Sequence, residues 1–367
     1  MTGPATTPRV VLLLSGLLGN RILSERLADA AAGVLGGAPP AIWFGADDYR
    51  RHPAPRLLRI ASELEAEYVY RRSLAAIPVV PADAVIACTW HVAMAAGGRY
   101  PRANWIVATD STPALVARLR AGADGRQAGS LARRGLRAWQ EIRFRRLVRC
   151  VRTWLPMSAA CRDSLVGDYG ADAARCHVTR APQPRVLEAV PPRDLAGGVR
   201  LVFVGNDFAR KGGPELCAAV CGMRGVTLTV VSNDPAAGAC AEQGRISVVR
   251  GITDPAALSS IYSGAHLLVH PTRFDLYSHV ICEGLAHGLP FAVSANTPAA
   301  ELVAESGAGV LIAPPVSADS IATAIRAATE PSGYARREAA ALSFAQRCLR
   351  MEHLAELVRT ALDAAAR

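Results

Sequence analysis

Residues 266–296, HLLVHPTRFDLYSHVICEGLAHGLPFAVSAN, set a buried strand, a polar loop and a helix start in the order a ligand site requires. His266 to Val269 reads as a short apolar strand, Pro271 to Ser278 as an irregular loop and Val280 to His287 as a helix. Gly288-Leu289-Pro290 then stops that helix before the next apolar run. Asp275 falls in the loop and Glu283 in the helix, eight positions later. The amides of Leu276, Tyr277, Ser278 and His279 lie at the helix start, where unpaired N–H groups and the helix dipole favour an anion. The stretch therefore reads as a phosphate cradle with a carboxylate on each side.

A strand, a proline, an acid, seven residues, Glu and then Ala-His-Gly-Leu-Pro resembles the E-x7-E signature of retaining GT-B glycosyltransferases of family 4. Asp275 stands where that family usually has its first Glu, and Leu276-Tyr277-Ser278 stands in place of Gly-Phe-Gly. The resemblance implies that Asp275 meets the transferred sugar, that the amides from Leu276 to His279 hold the diphosphate, and that Glu283 binds the ribose.

A second loop supports the same site. Leu201 to Val204 reads as a strand, followed by Gly205-Asn206-Asp207-Phe208-Ala209-Arg210-Lys211-Gly212-Gly213 and a helix from about Pro214. Lys211 is the single lysine among 41 basic side chains, so its place in this loop is informative. A lysine is a compact charge that reaches a phosphate oxygen where a planar guanidinium does not fit. In the resembled family the loop opens with Gly-Arg and closes with Lys-Gly, both basic residues meeting the diphosphate. Gly205 and Lys211-Gly212 match, Asn206 takes the arginine's place, and Arg210 is a candidate to compensate. Thr227 to Ser232 and Ile246 to Val249 read as further strands, the second ending at Gly251 and Ile252, where the family holds the nucleobase. Glu301, near a helix start, reads either as a sugar contact or, in the first place, as an acid favoured by the helix dipole.

The first half follows the same alternation. Val10 to Leu14 is an apolar run, followed by a turn containing Gly16 and a helix from about Ile22 to Leu35. Such a turn lets a ligand approach the backbone at the carboxyl end of a sheet. It lacks the third glycine of a dinucleotide fingerprint. Ala41 to Gly45, Ala84 to Cys88 and Asn104 to Ala108 are the next expected strands, leading to His91 and Asp110. The resembled family often has a His-Asp pair after the last of these strands. Thr109 replaces the histidine, Asp110 fits the aspartate, and His91 is a candidate to reach the donor instead. Thr153 to Pro156 reads as a strand, and Ser158 as the cap of the helix behind it.

At 367 residues the chain can form two domains with separate cores. The net charge is +10, and 26 of the 41 basic side chains lie in residues 1–185. Residues 114–152 carry 11 arginines with only Asp124 and Glu141 as acids, and from Ser130 they read as a helix whose stripe is Leu136, Trp139, Ile142, Leu147, Val148 and Val151. The segment, centred on 118–152, reads as a solvated face or as a surface for an anionic membrane. Nucleic acid is not expected, since no recognisable binding motif and few aromatics are present. No apolar run reaches the roughly 18 residues of a membrane span. The nine cysteines, without a C-x-x-C pair, read as reduced thiols of a cytoplasmic protein. Cys217 and Cys221 share a helical face without further ligands, so no metal site is expected.

The resemblance implies an α/β GT-B chain of two Rossmann-like domains facing a central cleft. The expected boundaries are 1–185 for the acceptor-side domain, 186–198 for a Pro/Gly-rich linker, 199–345 for the nucleotide-sugar domain and 346–367 for a helix returning to the first domain. It also implies a nucleotide diphosphate sugar as donor substrate, no cofactor or metal, and a glycan, lipid-linked or small-molecule acceptor, with retention of configuration. Two acids also suggest glycoside hydrolysis, but Lys211 and the amide cradle favour a diphosphate leaving group. A non-catalytic sugar-nucleotide-binding protein and a nucleotide-sugar epimerase are the remaining alternatives.

Overall fold

Long runs of Val, Leu and Ile without polar alternation belong to strands buried on both faces, as in parallel sheets. The computed structural model describes residues 8–55, 62–124, 131–190, 192–241 and 244–366. Eleven strands are found among them: β1 (Val10–Ser15), β2 (Ala41–Phe44), β3 (Ala84–Cys88), β4 (Asn104–Thr109), β5 (Val151–Pro156), β6 (Val199–Val204), β7 (Val226–Val231), β8 (Ile246–Val249), β9 (Leu267–His270), β10 (Phe291–Ser294) and β11 (Gly309–Ile312). Two compact units result, one from the described residues of 1–118, 125–182 and 351–367, the other from those of 119–124 and 183–350.

The first unit holds a five-stranded sheet in the order β2-β1-β3-β4-β5, with every pair parallel. The chain leaves β1 to one side for β2 and returns on the other for β3, so the β1/β3 boundary is a switch point. Ligands of open α/β sheets bind at the carboxyl ends of strands beside such a point. The helix Met351–Ala366 belongs to this unit and packs on the helix Leu18–Leu35. Its buried residues Leu354, Val358, Ala361 and Leu362 recur at helical spacing, which gives it an apolar stripe to bury.

The second unit holds six strands in the order β11-β10-β9-β6-β7-β8, again all parallel. Its switch point lies between β6 and β9, so the loops after these two strands emerge side by side. Leu201, Phe203, Val230, Leu267 and Val269 bury the sheet against Leu216, Val220, Ile321 and Ile325 of the covering helices. Residues 183–190 and 192–198 belong to this unit, and Arg193 anchors them by donating to Gly288 O at 3.1 Å, His287 O at 2.9 Å and Glu338 at 2.9 Å.

Several boundaries differ from expectation. Val151 opens β5 instead of closing the arginine-rich helix, which spans Leu131–Cys150; residues 125–130 of that segment lie outside the described residues. The helix expected over 346–367 starts at Met351 and runs to Ala366, since a preceding helix, Pro331–Cys348, ends where Gln183 N donates to Leu349 O at 2.6 Å and Gln183 bridges Arg350. β9 runs one residue later than expected, so His270 is strand rather than loop.

Candidate functional site

The two loops at the second switch point are joined through backbone and side chain. Gly212 has φ +74°, and a Cβ there would overlap the carbonyl oxygen of Pro271, so only glycine lets the loop after β6 meet the loop after β9. A Cβ on Gly205 would lie 2.6 Å from Lys211 Cδ, so that glycine makes room for the lysine stem. Arg273 N donates to Arg210 O at 3.0 Å, and the Arg273 side chain donates to Ala209 O at 2.7 Å and pairs with Glu215. Arg210 in turn pairs with Asp207 at 2.5 Å and donates to Phe274 O, the residue before Asp275. Arg210 is thus braced across the two loops rather than directed wholly to solvent.

Asp275 is the centre of this arrangement. Its Oδ2 receives His270 Nε2 at 3.3 Å, Ser278 Oγ at 3.3 Å and Lys211 Nζ at 3.5 Å, while Ser278 Oγ and His270 Nε2 are 2.9 Å apart. Burial pushes the Asp275 carboxyl up, but the hydrogen bond from His270 and the charges of Lys211 and Arg210 outweigh it and hold the group well below the usual carboxylate range. Burial lowers the pKa of His270, which keeps the ring neutral. Serine, histidine and aspartate meet here without forming a nucleophilic triad. In such a triad the acid orients one ring nitrogen and the hydroxyl uses the other, whereas Ser278 and Asp275 share Nε2 and Nδ1 is buried without a partner.

Ser278 is the N-cap residue of the helix His279–Ala286, yet its side chain makes no capping hydrogen bond. Ser158, by contrast, accepts from Cys161 N at 3.0 Å at the start of its own helix. A helix start leaves N–H groups without intrahelical acceptors, and here the serine hydroxyl does not occupy that position. Tyr277 turns inward to Cys282 Sγ at 3.2 Å, Leu276 is half-buried, and His279 forms the first turn edge-on to Tyr277. Further along the helix, Glu283 Oε2 accepts from the buried Tyr262 hydroxyl at 2.7 Å. Burial, then the Glu283 charge, raises the Tyr262 hydroxyl well above its ordinary value.

Asn206 is drawn into a different network. Its Oδ1 accepts from Asn233 N at 2.9 Å, and Asn233 Oδ1 accepts from Gly251 N at 2.8 Å. The loops after β6, β7 and β8 are thereby tied together, with Gly251 exposed at φ +66° and Ile252 half-buried beside it. Asn233, Tyr262, His270 and the second role of Ser278 escaped the sequence reading. A single histidine ending an apolar run carries no local signal that separates it from a core residue.

In the first unit Gly16, His91 and Asp110 all follow strand ends. Gly16 N donates to Phe44 O at 2.6 Å. His91 lies in the first turn of the helix Trp90–Ala96, stacked on Trp90 with centroids 3.5 Å apart. Thr89 before it holds φ +77°, a strained conformation for a β-branched residue. Thr109 is fully buried and donates to Ser111 O at 2.9 Å, so it braces the turn after β4. Asp110 Oδ1 accepts from Ser111 Oγ at 2.9 Å, and burial, with Asp110 adding to it, pushes the Cys88 thiol up to about 12. All nine cysteines are free thiols. Among the described residues no group of three His, Cys, Asp or Glu is placed to hold a metal ion.

Two parallel-sheet α/β units of this kind constitute the GT-B fold, shared with known glycosyltransferase structures. WaaG, a glycosyltransferase involved in lipopolysaccharide biosynthesis, matches 95% of this chain and 99% of its own with a TM-score of 0.65 at 18% identity. Anabaena HepE in complex with UDP matches 96% of this chain and 99% of its own with a TM-score of 0.64 at 15% identity. Residues 198–330, which lie within the second unit, match the family described as glycosyl transferases group 1. A GDP-mannose-dependent alpha-mannosyltransferase of Corynebacterium glutamicum is 29% identical over 150 residues, 38% of this chain. The match spans 35%, about a third, of that relative's length.

Proposed function

We propose that the chain is a retaining glycosyltransferase that moves a sugar from a nucleotide diphosphate sugar to a hydroxyl of a glycan, glycolipid or small-molecule acceptor, without a metal. The observation that carries this reading is the pairing of Lys211 and Asp275, 3.5 Å apart on the two loops of the switch point, beside an uncapped helix start. Negative charge develops on the departing diphosphate. Lys211 and the amides of Ser278 and His279 are fixed donors for that charge, which lowers the barrier more than it stabilises the bound substrate. Asp275 is then the acid beside the sugar and Glu283, held by Tyr262, the ribose contact. Gly251 and Ile252 border the base, and Gly205, Asn206 and Arg210 shape the loop. Gly16 is assigned to donor binding, and His91 and Asp110 to the catalytic set.

Calorimetric titration with UDP, GDP and ADP and their sugars, without added metal, tests this reading. UDP, which HepE binds, and GDP-mannose, the donor named for the mannosyltransferase, are the first to try. Binding of one base family followed by transfer with retained anomeric configuration supports the reading; binding without transfer to any acceptor makes the chain a sugar-nucleotide-binding protein. Absence of binding across the panel overturns both.

We also propose that the helix Leu131–Cys150 docks on an anionic membrane surface on the cytoplasmic side. Trp139 and Ile142 are 48% and 54% exposed on the same helix face as Arg146 and Arg149. Among the described residues no helix is long and apolar enough to cross a membrane. An exposed tryptophan among arginines suits the headgroup boundary.

A further inference from the structure

We propose that His270 and Ser278 are positioning residues that hold Asp275 by one carboxylate oxygen, Oδ2, and leave Oδ1 as the oxygen offered to the sugar. The inference rests on the donor-site reading above and deepens it. Among the described residues, the three polar partners of Asp275 converge on Oδ2, and none lies on Oδ1. Lys211 is the partner that a diphosphate draws away, because the ammonium then has a more highly charged neighbour. His270 and Ser278 remain. With His270 neutral, its Nε2–H is shared between Asp275 and Ser278, and the Ser278 hydroxyl donates to Asp275.

Three features separate this arrangement from ordinary packing. Ser278 occupies a helix N-cap, where its hydroxyl would ordinarily accept from the first-turn amides, and it turns to His270 and Asp275 instead. His270 is fully buried with Nδ1 unpartnered, an arrangement that stability alone disfavours. His270 ends β9 and Ser278 immediately precedes the helix His279–Ala286, so the acid is held from both ends of its loop. The groups facing the carboxylate are His270, Lys211 and Arg210.

The test compares His270→Gln, which keeps a donor at the reach of Nε2, with His270→Leu and Ser278→Ala, each checked for folding by circular dichroism. His270→Leu is expected to lower kcat about 30-fold and Ser278→Ala about tenfold, with nucleotide Kd within about threefold of wild type; His270→Gln stays within about fivefold. The acid limb of the kcat profile moves to higher pH in His270→Leu, because Asp275 loses the donor that favours its charged form. An unmoved acid limb, or equal losses in Gln and Leu, overturns the proposal. Should His270→Leu not fold, Ser278→Ala carries the same readouts.

A readout independent of turnover is the carboxyl carbon resonance of Asp275, assigned by its loss in Asp275→Asn. In wild type it stays at the carboxylate position down to about pH 4, and in His270→Leu or Ser278→Ala it titrates at higher pH. No change in either variant overturns the positioning role. If wild type transfers no sugar, the glycosyltransferase reading fails while this resonance still decides the role of His270 and Ser278.

Discussion

Lys211 Nζ and Asp275 Oδ2 stand 3.5 Å apart although 64 residues separate them in the chain, and each side chain is only 16% exposed. Their meeting follows from the strand order, since β6 and β9 are neighbours and each residue lies in the loop that leaves its strand. The Lys211 charge favours the ionised form of Asp275, and a diphosphate would compete for the same cation.

Lys211→Ala is therefore expected to weaken donor-nucleotide binding and turnover together, each by about tenfold or more. Lys211→Arg should not restore them, because a planar guanidinium replaces the compact ammonium whose stem packs against Gly205. Calorimetry and initial rates check this, and wild-type values in Lys211→Ala would remove Lys211 from the site.

Asp275→Asn keeps the shape but removes the charge. It is expected to lower kcat about 100-fold while nucleotide affinity stays within a few-fold. A comparable loss of nucleotide affinity would move Asp275 away from the sugar.

Gly212→Ala meets a positive φ and the Pro271 carbonyl at once. A loss of about 2 to 4 kcal/mol in the stability of the second unit is expected, read from its urea transition. Gly37→Ala, with open space around it, is the control in the first unit.

Acid should weaken the second unit before the first. Burial lowers His266 to about 4 from an ordinary 6.5, and His270 and His287 are lowered for the same first reason. A histidine depressed in the folded state contributes stability that is present above pH 6.5 and is lost as pH falls through its folded value. Between pH 6.5 and about 4 the unfolded chain therefore binds more protons, with a slope of at most about 1.4 kcal/mol per pH unit for each histidine. Urea unfolding across this window checks the slope, and His266→Asn should flatten it.

Trp139→Ser with Ile142→Ser should reduce co-sedimentation with vesicles containing about one third anionic lipid by roughly tenfold, while leaving donor-nucleotide binding unchanged. Equal sedimentation of wild type and variant, or none by either, would mark the exposed face as solvated only.

What could be read in the sequence was local. Apolar runs located the strands to within two residues, most plainly β1, β3 and β9, whose residues are buried on both faces. Ser158 was legible as a cap from its neighbours alone, Asp275 and Lys211 stood out by residue type and by the loops that carry them, and Glu283 by its spacing from Asp275. Tertiary structure decided the rest. That Lys211, His270 and Ser278 share one carboxylate oxygen, that Asn206 accepts from Asn233, and that Gly212 is required by Pro271 all depend on strand order. Spacing along the chain reports which residues share an element; only the sheet brings loops distant in sequence within hydrogen-bond reach.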